Sequence, residues 1–295
     1  MPFTSQDDMI YRITTLGNTD EYWFSQVNTS DTPPGNCWTT MHSIFVSGHP
    51  QGPAATAPSG TPGVAYTSDV NCITFPNVSP SIRYLTCIEI AEITDRPDIY
   101  VPVDMQVMVY DRLVAVGAIA CSATGNQTVN STALPRYTGT ASATVQCWLE
   151  ITTQGNTTAP VVDLNSYTQD DGTSGISAGS SLTFPGVATG RPSFLGPMPL
   201  NATSKGLRSI QVGLHVGTAG PASVVAVTLI RPLATISLSA GAALTCAGWL
   251  DLGSLLDPLP QIFDGASLEL AFLDSSTANN ARQYLQGCIH TAYTP

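Results

Sequence analysis

Positive charge is scarce in this chain. Of 295 residues ten are basic and 21 acidic, for a formal net charge of −11, and Lys205 is the single lysine. Without a basic stripe there is no electrostatic footprint for a phosphate backbone, so no nucleic-acid partner is expected. Anionic membrane surfaces are disfavoured for the same reason, and no membrane partner is expected. Long hydrophobic runs are also missing: no segment approaches the ~18 apolar residues of a spanning helix. The opening MPFTSQDDMIYRI carries neither a basic n-region nor an apolar h-region, so no signal peptide is expected. Seven cysteines are scattered along the chain without one Cys-x-x-Cys, which removes the zinc templates built on that spacing. G-x-G-x-x-G and Walker loops are absent too, and no cofactor is expected.

What is present points to a large β domain. Hydrophobic residues make up 43% of the chain, enough for a sizeable core. Glycine (25) and proline (22) recur throughout and leave no room for long helices. Two short helices are expected, over Thr19–Val27 with Thr19 as cap, and over Asp251–Pro260. Residues 31–64 are rich in Pro, Gly, Ala and Ser; they read as an extended arm or long loop anchored by Trp38 and by Ile44–Val46.

From residue 81 onward short apolar stretches alternate with turn-rich connectors. Strands are expected over Ser81–Ile93, Tyr100–Leu113, Ala143–Gln154, Ala159–Thr168, Ser181–Gly186 and Pro192–Leu200. Further strands are expected over Leu207–Val216, Ala222–Leu238, Ala266–Leu273 and Gln283–Tyr293. The amphipathic helices that a βαβ sheet requires are missing. The expected class is therefore all-β, an antiparallel sandwich of jelly-roll type with an extended N-terminal arm. The arm is assigned to residues 1–80 and the sandwich to residues 81–295. No fixed-period repeat is found.

The cysteines mostly sit in apolar, strand-like surroundings, as Cys147 does in TVQCWLEI and Cys246 in LTCAGWL. They read as small buried hydrophobes of a chain made in a reducing compartment. The Asn-x-Ser/Thr sites at Asn28, Asn77, Asn126, Asn130, Asn156 and Asn201 read as loop and strand-face composition rather than glycosylation.

Motifs with catalytic form do not gather into a set. GISAG (Gly175–Gly179) matches G-x-S-x-G, but Ser177 lies in a polar Gly/Ser loop with no helix after it, where a nucleophile elbow needs one. His42, His49, His215 and His290 have no carboxylate or cysteine at ligand spacing, and each reads as structural. Asp170 and Asp171 in QDDGTSG lack the further acids of a calcium loop and read as a solvated turn. Asp111 and Arg112 interrupt the apolar run VYDRLVAVG. Neighbours along a strand point to opposite faces, so the two are not expected to pair with each other. They are expected to mark a strand end, each held by a different neighbour, with Arg112 forking onto carbonyls or a carboxylate.

Several elements in order resemble a family of tailed-bacteriophage virion structural proteins. They are CWTTMHSIFVSGHPQGPAATAPSG, VYDRL, GNQTVNSTALPRYTG, GLRSIQVGL, VTLIRPLATISL and, near the end, PLPQIFDGASLELAFL with QYLQGCIHTAY. They span residues 37–293. The segment AEITDRPDIYVP and the high cysteine count depart from the family pattern. The resemblance implies a non-enzymatic particle component of head-decoration or cement type, located on the outer surface of the capsid and assembled in the host cytoplasm. Its implied partners are the phage major capsid protein and further copies of itself, as a homotrimer. On the same grounds Trp38, Asp111, Arg112, Arg208 and Arg231 are candidate structural or interface residues. A second reading is a tail or neck adhesin that binds host glycan, with Tyr137 and Tyr167 as a stacking platform near loops and Trp148 and Trp249 in core strands. A third is a serine hydrolase using Ser177.

Overall fold

The computed structural model describes residues 11, 16–28, 38–40, 63–66, 72–94, 105–129, 133–153, 159–184, 193–220, 223–240, 245–251, 259–274 and 283–294. Most of the Pro/Gly-rich stretch, His42, His49, Cys37 and residues 252–258 of the second expected helix lie outside the described residues.

The described chain is built of antiparallel strands. In order they are β1 (Thr19–Asn28), β2 (Trp38–Thr40), β3 (Val64–Ala65), β4 (Arg83–Thr94), β5 (Met105–Ala120), β6 (Gly125–Thr128), β7 (Gln146–Thr153) and β8 (Val161–Gln169). Then come β9 (Leu182–Thr183), β10 (Ser193–Leu195), β11 (Leu207–Thr218), β12 (Val224–Ala240), β13 (Thr245–Asp251), β14 (Gln261–Ile262), β15 (Leu268–Asp274) and β16 (Gln283–Tyr293). A 3-10 turn spans Gly139–Thr144. The all-β, antiparallel, sandwich-like class expected from the sequence is the one found.

The helix expected over Thr19–Val27 is instead strand β1, paired along its length with β16 from Thr19↔Ala292 to Asn28↔Gln283. The reason is a period of two: Tyr22 and Phe24 turn inward while Glu21 and Trp23 are exposed. An N-cap residue at Thr19 cannot override that burial pattern once a partner strand is available.

β5 and β12 organise the molecule. They pair from Val224↔Ala120 to Leu238↔Met105. The other edge of β12 carries β7, which pairs with β10; β10 pairs with β2, β2 with β15, and β15 returns to β5. These six strands close into a ring. Met108, Tyr110, Trp148, Phe194, Ile230 and Ala271 fill one face of it. Phe194 stacks between Trp148 (4.6 Å between centroids) and Tyr110 (5.5 Å).

Two further layers pack on the opposite face. The sheet β6-β11-β8-β9 covers the C-terminal half of β5, where Leu113, Val114 and Val116 meet Val162, Leu164, Ile210 and Leu214. The sheet β1-β16-β4-β13 leaves the ring through the end of β12 and covers the N-terminal half of β5. There Val107 and Val109 meet Phe24, Leu85, Ile88 and Ile289. A register slip between Leu229 and Ile230 lies opposite Arg112–Val114, so Leu113 and Val114 both face the same layer.

Candidate functional site

The stretch around Asp111 and Arg112 lies mid-strand in β5, where the two outer layers meet. The strand-end expectation is therefore overturned: β5 continues to Ala120. Both residues are fully buried. Their faces differ, as strand geometry requires, and so do their partners.

Asp111 faces the seam between the two outer cores, where Arg136 grips it. Nε of Arg136 donates to Oδ2 at 2.9 Å and Nη2 to Oδ1 at 2.6 Å. The remaining donors reach carbonyl oxygens: Nη1 to Tyr66 (2.7 Å) and Gly265 (2.9 Å), Nη2 to Arg112 (3.0 Å). All five N–H groups of a guanidinium are thus directed at acceptors. The Ser267 backbone N–H adds a third bond to Asp111 at 3.1 Å. Burial pushes the Asp111 carboxyl above its ordinary value, and the Arg136 fork and the Ser267 N–H act against that rise. Arg231, directly opposite Asp111 in the ladder, lies 4.4 Å over the Tyr137 ring, and Tyr137 meets Phe263 edge-on.

Arg112 points the other way, to the inner face of the ring. Its guanidinium stands 3.3 Å from Glu269 of β15 and 3.4 Å from Glu150 of β7, under the Tyr66 ring at 4.6 Å. Glu269 also accepts from the Tyr110 hydroxyl at 2.6 Å. Burial opposes charge on Arg112, but Glu150 and Glu269 outweigh it and hold the guanidinium cationic. Burial first, then Glu269, drives the Tyr110 phenol well above its usual range. Glu269 Oε1 accepts from the Cys72 thiol as well, at 3.8 Å, so the cluster draws buried partners from both strands and loops.

A second buried arginine escaped the sequence reading. Arg83 donates to Asp20, to Thr291 Oγ1 at 2.7 Å and to the Pro76 carbonyl at 2.9 Å, with its guanidinium over Phe75 and Tyr293. It ties β4 to β1 and β16. A hollow of about 460 Å³ lies between Arg83 and Arg136, lined also by Tyr137, Gln261 and Asp264. Both guanidinium groups on its wall are already engaged with carboxylates and carbonyls.

The other sequence candidates fall elsewhere. Arg208 forks onto the Asp170 carbonyl by Nε (2.9 Å) and Nη2 (2.6 Å). Asp170 Oδ1 accepts from the Lys205 N–H, and Asp171 accepts from Thr173 and Gln169, so this turn is held by its own carboxylates. Ser177 donates to the Asn165 carbonyl at 2.6 Å and is exposed. His215 stands 3.1 Å from Asp163 across the β8–β11 pair. Trp38 lies in β2, paired with Phe194 and Leu273 at backbone level; its side chain lies outside the described residues, as does that of Trp249. Tyr137 and Tyr167 are buried and present no stacking platform.

His290, like His215, has acidic neighbours that the sequence spacing concealed. It sits on the outer face of β16, with Glu21 of β1 and Cys87 of β4 directly opposite. Nδ1 lies 3.3 Å from Glu21 and Nε2 3.6 Å from Glu89. Cys288, two residues back on the same face, is pushed up to about 11 by burial and by the nearby carboxylates of Glu21 and Glu89. These side chains come from segments between 66 and 269 positions apart, which no linear motif could expose. Cys72, Cys87, Cys121, Cys147 and Cys288 form no disulfides.

No family model matches the chain, and no curated protein sequence does. Solved structures give only remote likenesses. The infectious bursal disease virus VP2 subviral particle is 9% identical, with 97% of this chain and 87% of that chain covered and a TM-score of 0.17. The Gt strain of infectious bursal disease virus is 10% identical over 97% and 87%, with a TM-score of 0.18. The T13 particle of the same virus is 10% identical over 100% and 83%, with a TM-score of 0.17. Likeness at this level carries no argument about what the chain is.

Proposed function

We propose that this chain is a non-enzymatic structural component of a virus particle, and in particular a head-decoration or cement protein of a tailed phage. The observation that carries the reading is the state of the buried charges. The VYDRL element, one of those that resemble the phage virion family, places Asp111 and Arg112 at the joint of three layers, where each is held by buried partners of opposite charge. Such a joint makes a rigid platform.

In this reading the sheet faces and the N-terminal region, residues 1–80, make many shallow contacts with the major capsid protein on the outer surface of the shell. A homotrimer would match the shell's local three-fold axes and cover sheet edges that otherwise invite aggregation. Assembly would take place in the host cytoplasm.

Immunogold labelling of purified particles with antibody against this chain tests the proposal. Label over the heads is the expected result. Label at the tail tip would replace it with the adhesin reading, and unlabelled particles would overturn a virion role.

A further inference from the structure

The outer face of the β1-β16-β4 sheet gathers donors that a protein surface seldom brings together. Two short runs are paired antiparallel there, Cys87–Ile88–Glu89 on β4 and Cys288–Ile289–His290 on β16. Ile88 and Ile289 turn inward and are fully buried. The polar residues on either side of each isoleucine therefore share the outer face. β1 adds Glu21 opposite His290 and Trp23 opposite Cys288. One ligand atom from each of Glu21, Cys288 and His290 lies within 4.8 Å of the other two.

We propose that Glu21, Cys288 and His290 bind one divalent transition-metal ion, zinc being the best match, with an outer position left for water. Three observations carry this. The donor set is carboxylate, thiolate and imidazole, the mixture that suits a borderline-soft dication better than calcium or magnesium. The spacing fits: two ligands of a tetrahedral zinc stand about 3.3–3.6 Å apart for ordinary zinc–ligand bond lengths, and His290 Nδ1 already lies 3.3 Å from Glu21 Oε1. The ligands are also pre-positioned by ladder register, two residues apart on one strand and directly opposite on the next, so little ordering cost remains.

The surrounding charge favours the same occupant. Glu21 and Glu89 oppose the Cys288 thiolate, and a dication placed among them turns that repulsion into attraction. Glu21, Cys87, Glu89, Cys288 and His290 are the titratable groups on these two runs and beside His290 on β1. Cys87 and Glu89 form a second triple with His290 on its Nε2 side. Nδ1 is chosen over Nε2 because its carboxylate is the nearer one, 3.3 against 3.6 Å. A metal here would staple the first strand of the large sheet to the last strand of the chain.

The test is a titration of the reduced full-length chain with Co²⁺ and, in parallel, with ZnCl₂. The expected result is one equivalent of Co²⁺ per chain, with a thiolate-to-cobalt charge-transfer band in the near ultraviolet, and a rise in melting temperature with Zn²⁺. C288S should abolish the band. E21Q and H290Q, at positions reached by solvent, should weaken binding by about tenfold or more while leaving the metal-free melting temperature unchanged. C87S and E89Q should bind as the parent does. Absence of the charge-transfer band, or binding unaltered by C288S and H290Q, would overturn the site. Binding lost with C87S and E89Q but kept with C288S and E21Q would overturn the assignment of the ligands.

Discussion

Arg136 holds Asp111 in a two-point fork, Nε to Oδ2 at 2.9 Å and Nη2 to Oδ1 at 2.6 Å, at the seam between two separate hydrophobic cores. The same guanidinium also donates to the carbonyls of Tyr66, Arg112 and Gly265. A single loop residue thereby fixes the middle of β5, the chain after β3 and the turn before β15. Removing either partner leaves the other charge buried, which is what makes the pair consequential even though its net worth against an apolar replacement is small.

R136A should therefore lower stability by about 3–5 kcal/mol, the usual cost of breaking a buried pair. At the few degrees per kcal/mol expected for a domain of this size, that is a melting temperature lower by about 10 °C. R136K should recover little, because one ammonium cannot reach five acceptors in a plane. R231A, which removes a cation stacked on Tyr137 rather than a buried pair, should cost only about 1 kcal/mol. Thermal unfolding of the three variants gives the order, and an R231A loss as large as that of R136A would contradict it.

Arg112 should respond differently from Arg136, because its partners are two carboxylates facing the inside of the ring. R112M leaves Glu150 and Glu269 without their cation and should cost about 3–5 kcal/mol. R112M/E150Q/E269Q removes the uncompensated charge as well and should regain at least about half of that loss. Chemical denaturation of parent, single and triple variants measures both quantities. A triple variant no more stable than R112M would show that packing, not charge, sets the cost.

Most of this fold was legible in the sequence, and the failures have physical causes. The apolar stretches over Ser81–Ile93 and Ala222–Leu238 became β4 and β12 because alternation and β-branched residues agreed with burial. Thr19–Val27 was misread because a polar start and a short amphipathic run fit a helix turn as well as an edge strand; the pairing with β16 decided it. Asp111 and Arg112 stood out as charges in an apolar run, yet their partners Arg136, Glu150 and Glu269 did not. Those three come from a loop and two other strands, and only the closure of the ring and the seam between layers bring them together. The cluster around His290 was hidden in the same way, since Cys288–His290 and Cys87–Glu89 become neighbours only through strand register.

Gly213 should tolerate no side chain. It sits at φ +142° within a stretch of shifted register in β11, and a Cβ there would run into the Gln127 carbonyl of β6. Overpacking against backbone and the unfavourable φ together should make G213A cost about 2–4 kcal/mol. Gly175 provides the control: its φ is also positive, +74°, but nothing lies within 4 Å of its Cβ position. G175A should cost about 1 kcal/mol, the strain alone. Equal losses for the two variants would rule out the close approach of β6 as the cause.

The cysteines give a reading of the same packing by chemistry. Cys72, Cys121, Cys147 and Cys288 are buried, and Cys87 is half-buried at the surface of β4. Burial pushes the Cys121 thiol up to about 11 and raises that of Cys147 still further, so neither carries appreciable thiolate near neutrality. In a C37S/C246S background, Ellman titration of the native chain at mildly alkaline pH should show one fast thiol, removed by C87S. The remaining four should react only after unfolding. A fast second thiol that disappears in C288S would mean that β1 separates from β16 in solution, since Cys288 pairs with Trp23 at the centre of that ladder.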